Sequence, residues 1–227
     1  MKKTIRILRQ KGPGEKAYFE DFPYETEQEN ATVATALMQI AARTDLAWEH
    51  SCLQKKCGAC AMVVDRKPVL ACDTALASCK GEVVVVEPLK KFPVVKDLLV
   101  DRSILADTLQ EMQVYAQEQT EEQGSDGTGY REETVYEAAR CLQCGLCLEI
   151  CPNYYAGGKF AGMAAMAPMA RLLAGEEAGR IKKTYTERIY EGCGKSLACR
   201  DVCPAGLDMD KLLSRNNKAL RRKKKRR

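Results

Sequence analysis

At 227 residues the chain has room for two modest domains, and a hydrophobic share of 45% supplies real cores. Mean hydropathy is −0.36, and no stretch is long and apolar enough to cross a bilayer. The apolar part of the basic start MKKTIRILRQ is far too short for a secretory signal, so the expected compartment is the cytosol, where thiols stay reduced. The net charge of +5 belongs to a tail: Arg221 to Arg227 are all Lys or Arg, and without their +7 the rest carries −2.

In chain order, Thr4 to Leu8 alternates and reads as a strand, with Ala17 to Tyr24 as its hairpin partner across Gly12-Pro13-Gly14. Val33 to Ala42 has helical spacing, with Val33, Leu37 and Ile40 on one side. Cys60 to Asp65, Val69 to Cys72 and Val83 to Glu87 read as further strands. The unbroken run Val83-Val84-Val85-Val86 predicts a strand buried on both faces. Leu89 to Leu98 reads as a Pro-containing connection. From Asp101 the texture turns helical: Ile104, Leu105, Leu109, Met112 and Ala116 form an apolar stripe, with Ser103 placed to cap it. Gln119 to Gly129 is polar and Gly-rich, a surface loop; Thr134 to Arg140 is a short helix leading into Cys141. Gly162 to Met169 reads as packing surface, and Asp208 caps a last helix with Met209, Leu212 and Leu213 inward.

Eleven of the twelve cysteines fall into three spaced sets. Cys52, Cys57, Cys60 and Cys72 are separated by four, two and eleven residues. Cys141, Cys144, Cys147 and Cys151 are separated by two, two and three, and Pro152 follows. Cys193, Cys199 and Cys203 are separated by five and three, and Pro204 follows. These are the plant-type C-x4-C-x2-C and bacterial C-x2-C-x2-C-x3-C-P runs that hold iron–sulfur clusters. The first set reads as a 2Fe–2S loop, with Gly58 letting the backbone approach the sulfurs. In two-cluster ferredoxins the fourth Cys of a run ligates the other cluster. On that rule Cys203 joins Cys141, Cys144 and Cys147 around a 4Fe–4S cluster, and Cys151 joins Cys193 and Cys199. Ser196 stands where a complete third run would carry cysteine, so a 3Fe–4S cluster is expected there, with serine ligation of a fourth iron as the minority reading.

One 2Fe–2S loop followed by a 4Fe–4S and a 3Fe–4S set resembles the iron–sulfur subunit of succinate dehydrogenase and fumarate reductase along nearly the whole chain. Phe92 to Leu98 with Asp101-Arg102, Cys57 to Met62 and both Cys-Pro pairs also match. The resemblance implies an α+β chain: an N-terminal β-grasp plant-type ferredoxin domain over 1–103 and an all-α helical ferredoxin domain over 104–220, ahead of the basic tail over 221–227. It also implies electron flow between a flavoprotein's FAD and a quinone near the 3Fe–4S cluster, at a membrane anchor on the cytoplasmic face of the membrane. Lys55 replaces a usual glycine, His50-Ser51 precede the first ligand, and Asn153, Tyr154, Tyr155, Ala156 and Gly194 replace the Trp and His common in ubiquinone-linked members. The loss of that Trp and that His tilts the reading toward menaquinol-linked fumarate reduction.

Bland alternatives bear on the same residues. Zinc uses paired C-x2-C knuckles, and the second run has one thiolate too many in its turn. A zinc protein with the basic tail would bind nucleic acid, but the body lacks a basic, aromatic-rich face, so no nucleic-acid partner is expected. A related complex with another flavoprotein substrate or a soluble thiol donor is the alternative within the same chemistry. His50 reads as a surface residue, Cys79 as a small buried hydrophobe, and the tail as a solvated end or a lipid-headgroup contact. No nucleophile–base pair, phosphate loop or dinucleotide fingerprint is present, so no catalytic residue is assigned to the chain itself.

Overall fold

The computed structural model describes residues 1–115, 130–173 and 178–221. Ala116, the expected loop Gln119 to Gly129 and the tail beyond Arg221 lie outside the described residues. The chain forms two units: Met1–Arg102 with Cys144–Ile150, and Ser103–Gln143 with Cys151–Arg227.

The first unit is built on β1 (Lys2–Arg9), β2 (Tyr18–Glu25), α1 (Val33–Ala41), β3 (Ala61–Val64), β4 (Lys67–Leu70) and β5 (Val83–Glu87). The strands order as β2-β1-β5-β3-β4, with β1 parallel to β5 and the other neighbours antiparallel, which is the β-grasp arrangement. The Thr32 hydroxyl accepts from the Thr35 N–H at 3.2 Å while the Thr35 hydroxyl accepts from the Thr32 N–H at 3.3 Å, a capping box that starts α1. Val33, Ala34, Ala36, Leu37 and Ile40 of α1 are buried with Ile5, Ile7, Val84 and Val86 of the sheet. The four-valine run is not sealed on both sides as expected. Val84 and Val86 are fully buried, but Val83 is 38% exposed and Val85 is half-buried. β5 is therefore central by its hydrogen bonds, yet its second face is only partly covered.

Cys72 leaves the strand that the alternation assigned to it. β4 ends at Leu70, and Ala71–Asp73 turn as a single 3-10 segment that swings Cys72 off the sheet edge. Pro68 fits within β4 because that strand is at the sheet edge, where a missing N–H removes no ladder bond. Within the expected connection, β6 (Val94–Lys96) and β7 (Leu99–Val100) form a small hairpin turned at Asp97, whose φ is +50°. Asp97 is 1% exposed and pairs with Arg9, itself 4% exposed, at 2.9 Å. Its carboxylate also accepts from the N–H groups of Gln10 (3.1 Å) and Ala47 (3.0 Å). The other Arg9 nitrogens reach Glu20 at 2.7 Å and Asp45 at 2.6 Å. The Asp45 carboxyl is lowered to about 2, first by its bond from Arg9 and then by Lys96. This network pins the segment that runs from Asp45 toward Cys52.

The second unit is helical, with α2 (Ser103–Glu111) and α3 (Tyr130–Ala139) at its start. The next helix, α4 (Leu146–Ile150), belongs with the first unit, where Leu146 and Leu148 are buried. α5 (Met163–Leu173), α6 (Ala178–Tyr185), a π-helical turn over Thr186–Tyr190, α7 (Ala198–Asp201) and α8 (Met209–Arg221) complete the second unit. α5 is its axis: Met163 to Ala167, Met169, Ala170 and Leu173 are all buried, the packing role expected of that segment. α2 starts at Ser103 itself; Leu105 and Met112 are buried while Ile104 and Leu109 are half-buried. The Asp208 carboxylate accepts from the Lys211 N–H at 3.0 Å and caps α8, whose Met209, Leu212 and Leu213 are buried. No helix among the described residues is long and apolar enough to cross a membrane.

Candidate iron–sulfur centres

The first ligand loop curls back on its own sulfurs. Leu53, Lys55 and Gly58 all have positive φ (53°, 60° and 75°), which turns successive N–H groups inward. The Cys52 sulfur accepts from Gln54 N (3.4 Å) and Lys56 N (3.3 Å), and the Cys57 sulfur from Ala59 N (3.5 Å). Lys55 N donates to the Cys72 sulfur at 3.3 Å, tying the 3-10 segment after β4 to the loop. Cys57 and Cys72 both act on the Cys60 thiol, which burial first of all pushes up to about 12. The Gln54 N–H, then Cys57 and the Lys56 N–H, lower Cys52 to about 7. Four thiols ringed by amide donors can hold a small anionic cluster, because those donors stabilise sulfur that carries charge. Lys55 also pairs with Asp73 at 2.7 Å, and His50, exposed, stacks on Trp48 with ring centroids 4.3 Å apart.

In the second unit the structure brings Cys151, Cys193 and Cys199 within each other's influence. Burial first, then the charges of Cys151 and Cys193, push the Cys199 thiol up to about 11. Asn153 Nδ2 donates to the Gly192 carbonyl at 2.8 Å, joining the loops that carry Cys151 and Cys193. A Cβ at Gly194 would stand 2.9 Å from that same nitrogen. Ser196 is exposed, between Lys195 and Leu197, both left-handed at φ 56° and 60°. Cys203 acts on Cys141, whose thiol burial raises while Gln143 opposes the shift. Cys144, buried, and Cys147, half-buried on α4, belong to the first unit.

Spacing alone did not single out three contributors. Arg102 donates to the carbonyls of Gly58 and Ala59, both at 3.0 Å, and to that of Cys144 at 3.4 Å, with Glu49 pairing its other side. Gln143 reaches the Cys141 sulfur, and Asn153 braces the third set. For Gln143 and Asn153 the available signal was position, since each lies within or beside a ligand run at a residue type able to donate; Arg102 lies outside every run, in the Asp101-Arg102 pair that carries part of the resemblance. None of the twelve cysteines is in a disulfide, and Cys79 is buried just after the 3-10 turn Leu76–Ser78. Among the described residues no three His, Cys, Asp or Glu side chains converge on a single-ion site. Cluster thiolates bond several irons and stand around a body instead of meeting at one point.

Residues 4–107 match a family model described as a 2Fe-2S iron-sulfur cluster binding domain, and residues 137–207 match a 4Fe-4S dicluster domain. The succinate dehydrogenase iron-sulfur subunit of Bacillus subtilis is 35% identical, covering 91% of this chain and 88% of its own. The fumarate reductase iron-sulfur subunit of Wolinella succinogenes is 28% identical, covering 91% and 92%. A chain of the Mycobacterium smegmatis Sdh1 complex in the apo form shares the fold, with a TM-score of 0.81 at 23% identity over 96% of this chain and 95% of that one. On these matches the chain belongs to the family of succinate dehydrogenase and fumarate reductase iron–sulfur subunits, serving as the electron-transfer subunit of an oxidoreductase with 2Fe–2S and 4Fe–4S clusters as cofactors.

Proposed function

We propose that the chain relays electrons between the FAD of a flavoprotein partner, where a dicarboxylate reacts, and a quinone at a membrane anchor, working as a menaquinol-linked fumarate reductase. Its residues divide that work. Cys52, Cys57, Cys60 and Cys72 hold the 2Fe–2S cluster; Cys141, Cys144, Cys147 and Cys203 hold 4Fe–4S; Cys151, Cys193 and Cys199 hold 3Fe–4S, with Ser196 leaving the corner empty. The clusters, when bound, supply one-electron carriers in series. The protein's own part is to bind them, donate hydrogen bonds to their sulfurs and exclude water from their buried ligands. The domain boundary we propose falls at residues 103–104, where strand texture gives way to helix.

The first ligand loop carries this reading: four thiols from two segments joined through backbone donors, with Lys55 N on the Cys72 sulfur at 3.3 Å. The menaquinone assignment draws on Asn153 filling the space a side chain at Gly194 would need, 2.9 Å from its Cβ. A histidine there would have to displace the Asn153 amide, which donates to the Gly192 carbonyl. Docking through anchor subunits on the cytoplasmic face follows from the same reading.

The test is anaerobic purification of the complex. A flavin-bearing chain and a membrane chain should co-purify, with three distinct cluster signals in EPR redox titration. Menaquinol should support fumarate reduction better than ubiquinol. A colourless preparation, or metal other than iron, sinks the cluster assignment, and preference for ubiquinone sinks the direction.

A further inference from the structure

Gln143 has a side chain whose orientation is fixed by chemistry. Its Nε2 lies 3.2 Å from the Cys141 sulfur and 2.9 Å from the Ala164 carbonyl of α5. Both partners are acceptors, so the amide nitrogen must face them and the oxygen must face away. That oxygen, Oε1, is buried and has no hydrogen-bond partner among the described residues. Leaving a buried acceptor unsatisfied is unfavourable, and a shorter or apolar residue would avoid it. The residue that stands there instead spends one N–H on α5 and the other on a ligand sulfur.

The backbone agrees. Gln143 is left-handed at φ 52°, a conformation that disfavours a non-glycine residue, and Gly145 follows at 85°. The turn and the bond to α5 together hold the side-chain amide against the Cys141 sulfur. α5 is buried along nearly its whole length, so the Ala164 carbonyl is a rigid anchor for the amide.

We propose that Gln143 is a positioning residue for the second cluster: clamped on α5, it aims a fixed hydrogen-bond donor at the Cys141 thiolate and so favours the reduced cluster. Reduction adds negative charge that spreads onto the ligand sulfurs, and a donor already in place stabilises it without reorganisation. This rests on the assignment of Cys141 to the 4Fe–4S cluster.

The experiment uses the purified complex, titrated electrochemically and followed by EPR. Gln143→Met keeps length without a donor; Gln143→Glu keeps shape and puts an acceptor against the sulfur. Loss of one charge-assisted hydrogen bond lowers the reduction equilibrium of this cluster about tenfold, about 59 mV for one electron. Gln143→Glu should shift it further in the same direction, and the other two clusters should keep their potentials. In the parent protein, transfer to D2O should shift the cluster's Fe–S(Cys) Raman bands, a readout that needs no variant. A parent without a reduced 4Fe–4S signal refutes the ligand assignment. A parent signal with unmoved potentials in both variants, or cluster loss with unmoved potential in what remains, refutes the role of Gln143.

Discussion

Asp97 is the residue on which the first unit's internal ion network turns, and its removal has a calculable consequence. The carboxylate is 1% exposed and receives three bonds: Arg9 Nε at 2.9 Å, Ala47 N at 3.0 Å and Gln10 N at 3.1 Å. Asp97→Ala leaves Arg9 buried with one counter-charge fewer and strands two N–H groups. Breaking a buried pair from one side costs about 3–5 kcal/mol. Glu20 and Asp45 still face Arg9, so the lower end applies to the charge. Adding the two half-buried N–H groups, which water can partly reach, brings the total to about 4 kcal/mol. Asp97→Asn retains one acceptor and turns an N–H toward a donor, so about 2 kcal/mol is expected. The assay is urea unfolding of the purified chain followed through the visible absorbance of the first cluster. The midpoint should fall in the order parent, Asn, Ala, with an unchanged slope. A change below about 1 kcal/mol for Asp97→Ala would show that Arg9 finds full compensation elsewhere, and would refute the network as the support of the segment entering Cys52.

Three further outcomes follow from individual contacts. Lys55 and Asp73 form an exposed pair beside the first cluster, so Lys55→Gly should lower that cluster's potential and Asp73→Asn should raise it; shifts of the same sign would mean loop damage instead. Asn153→Ala removes the bond to the Gly192 carbonyl between the loops of Cys151 and Cys193, worth about 1 kcal/mol, and should diminish the 3Fe–4S EPR signal while leaving the 2Fe–2S signal intact. Whenever the ligand loop of the cluster-free protein closes, its donors lower the Cys52 thiol to about 7 from its usual 9.0, so that it gains thiolate as pH rises through that value, whereas Cys60 stays protonated to about 12. Mass spectrometry after brief alkylation at pH 7.5 should therefore find Cys52 modified before Cys60, and the reverse order would contradict the donor geometry of the loop.

The β-grasp sheet was largely legible, because alternation survives where one face is buried. β1, β2, α1 and β5 fall within a residue or two of their expected bounds. The same rule failed at Val83-Val84-Val85-Val86, since an apolar run reports what a strand tolerates and not what covers it. β4 runs two residues earlier than the expected Val69 to Cys72, and its edge position accommodates Pro68. β6 and β7 are too short for periodicity to mark. At the candidate site, cysteine spacing carries the ligand sets, but spacing contains no information on which other groups point at sulfur. Gln143, Asn153 and Arg102 act through side chains whose targets are carbonyls and thiols set by tertiary folding.

The ligand loops share a backbone property that bears on how they form. Among the described residues nine non-glycine positions have positive φ, and five of them lie in the short ligand loops 52–57, 141–144 and 193–199: Leu53, Lys55, Gln143, Lys195 and Leu197. Each left-handed L-residue is disfavoured by about 1–2 kcal/mol, so these loops together hold at least about 5 kcal/mol of unfavourable backbone. The sheet and α5 gain nothing from those turns, whereas inward-facing N–H groups gain a partner when anionic sulfur is present. The loops should accordingly be the least protected part of the cluster-free chain. Hydrogen exchange with mass spectrometry should show residues 52–60 and 193–199 exchanging rapidly without clusters and slowing by at least about tenfold after reconstitution with iron and sulfide, while β1, β5 and α5 change little. Equal protection of those loops in both states would mean that the fold alone holds the left-handed turns, and that the thiols await their clusters already in position.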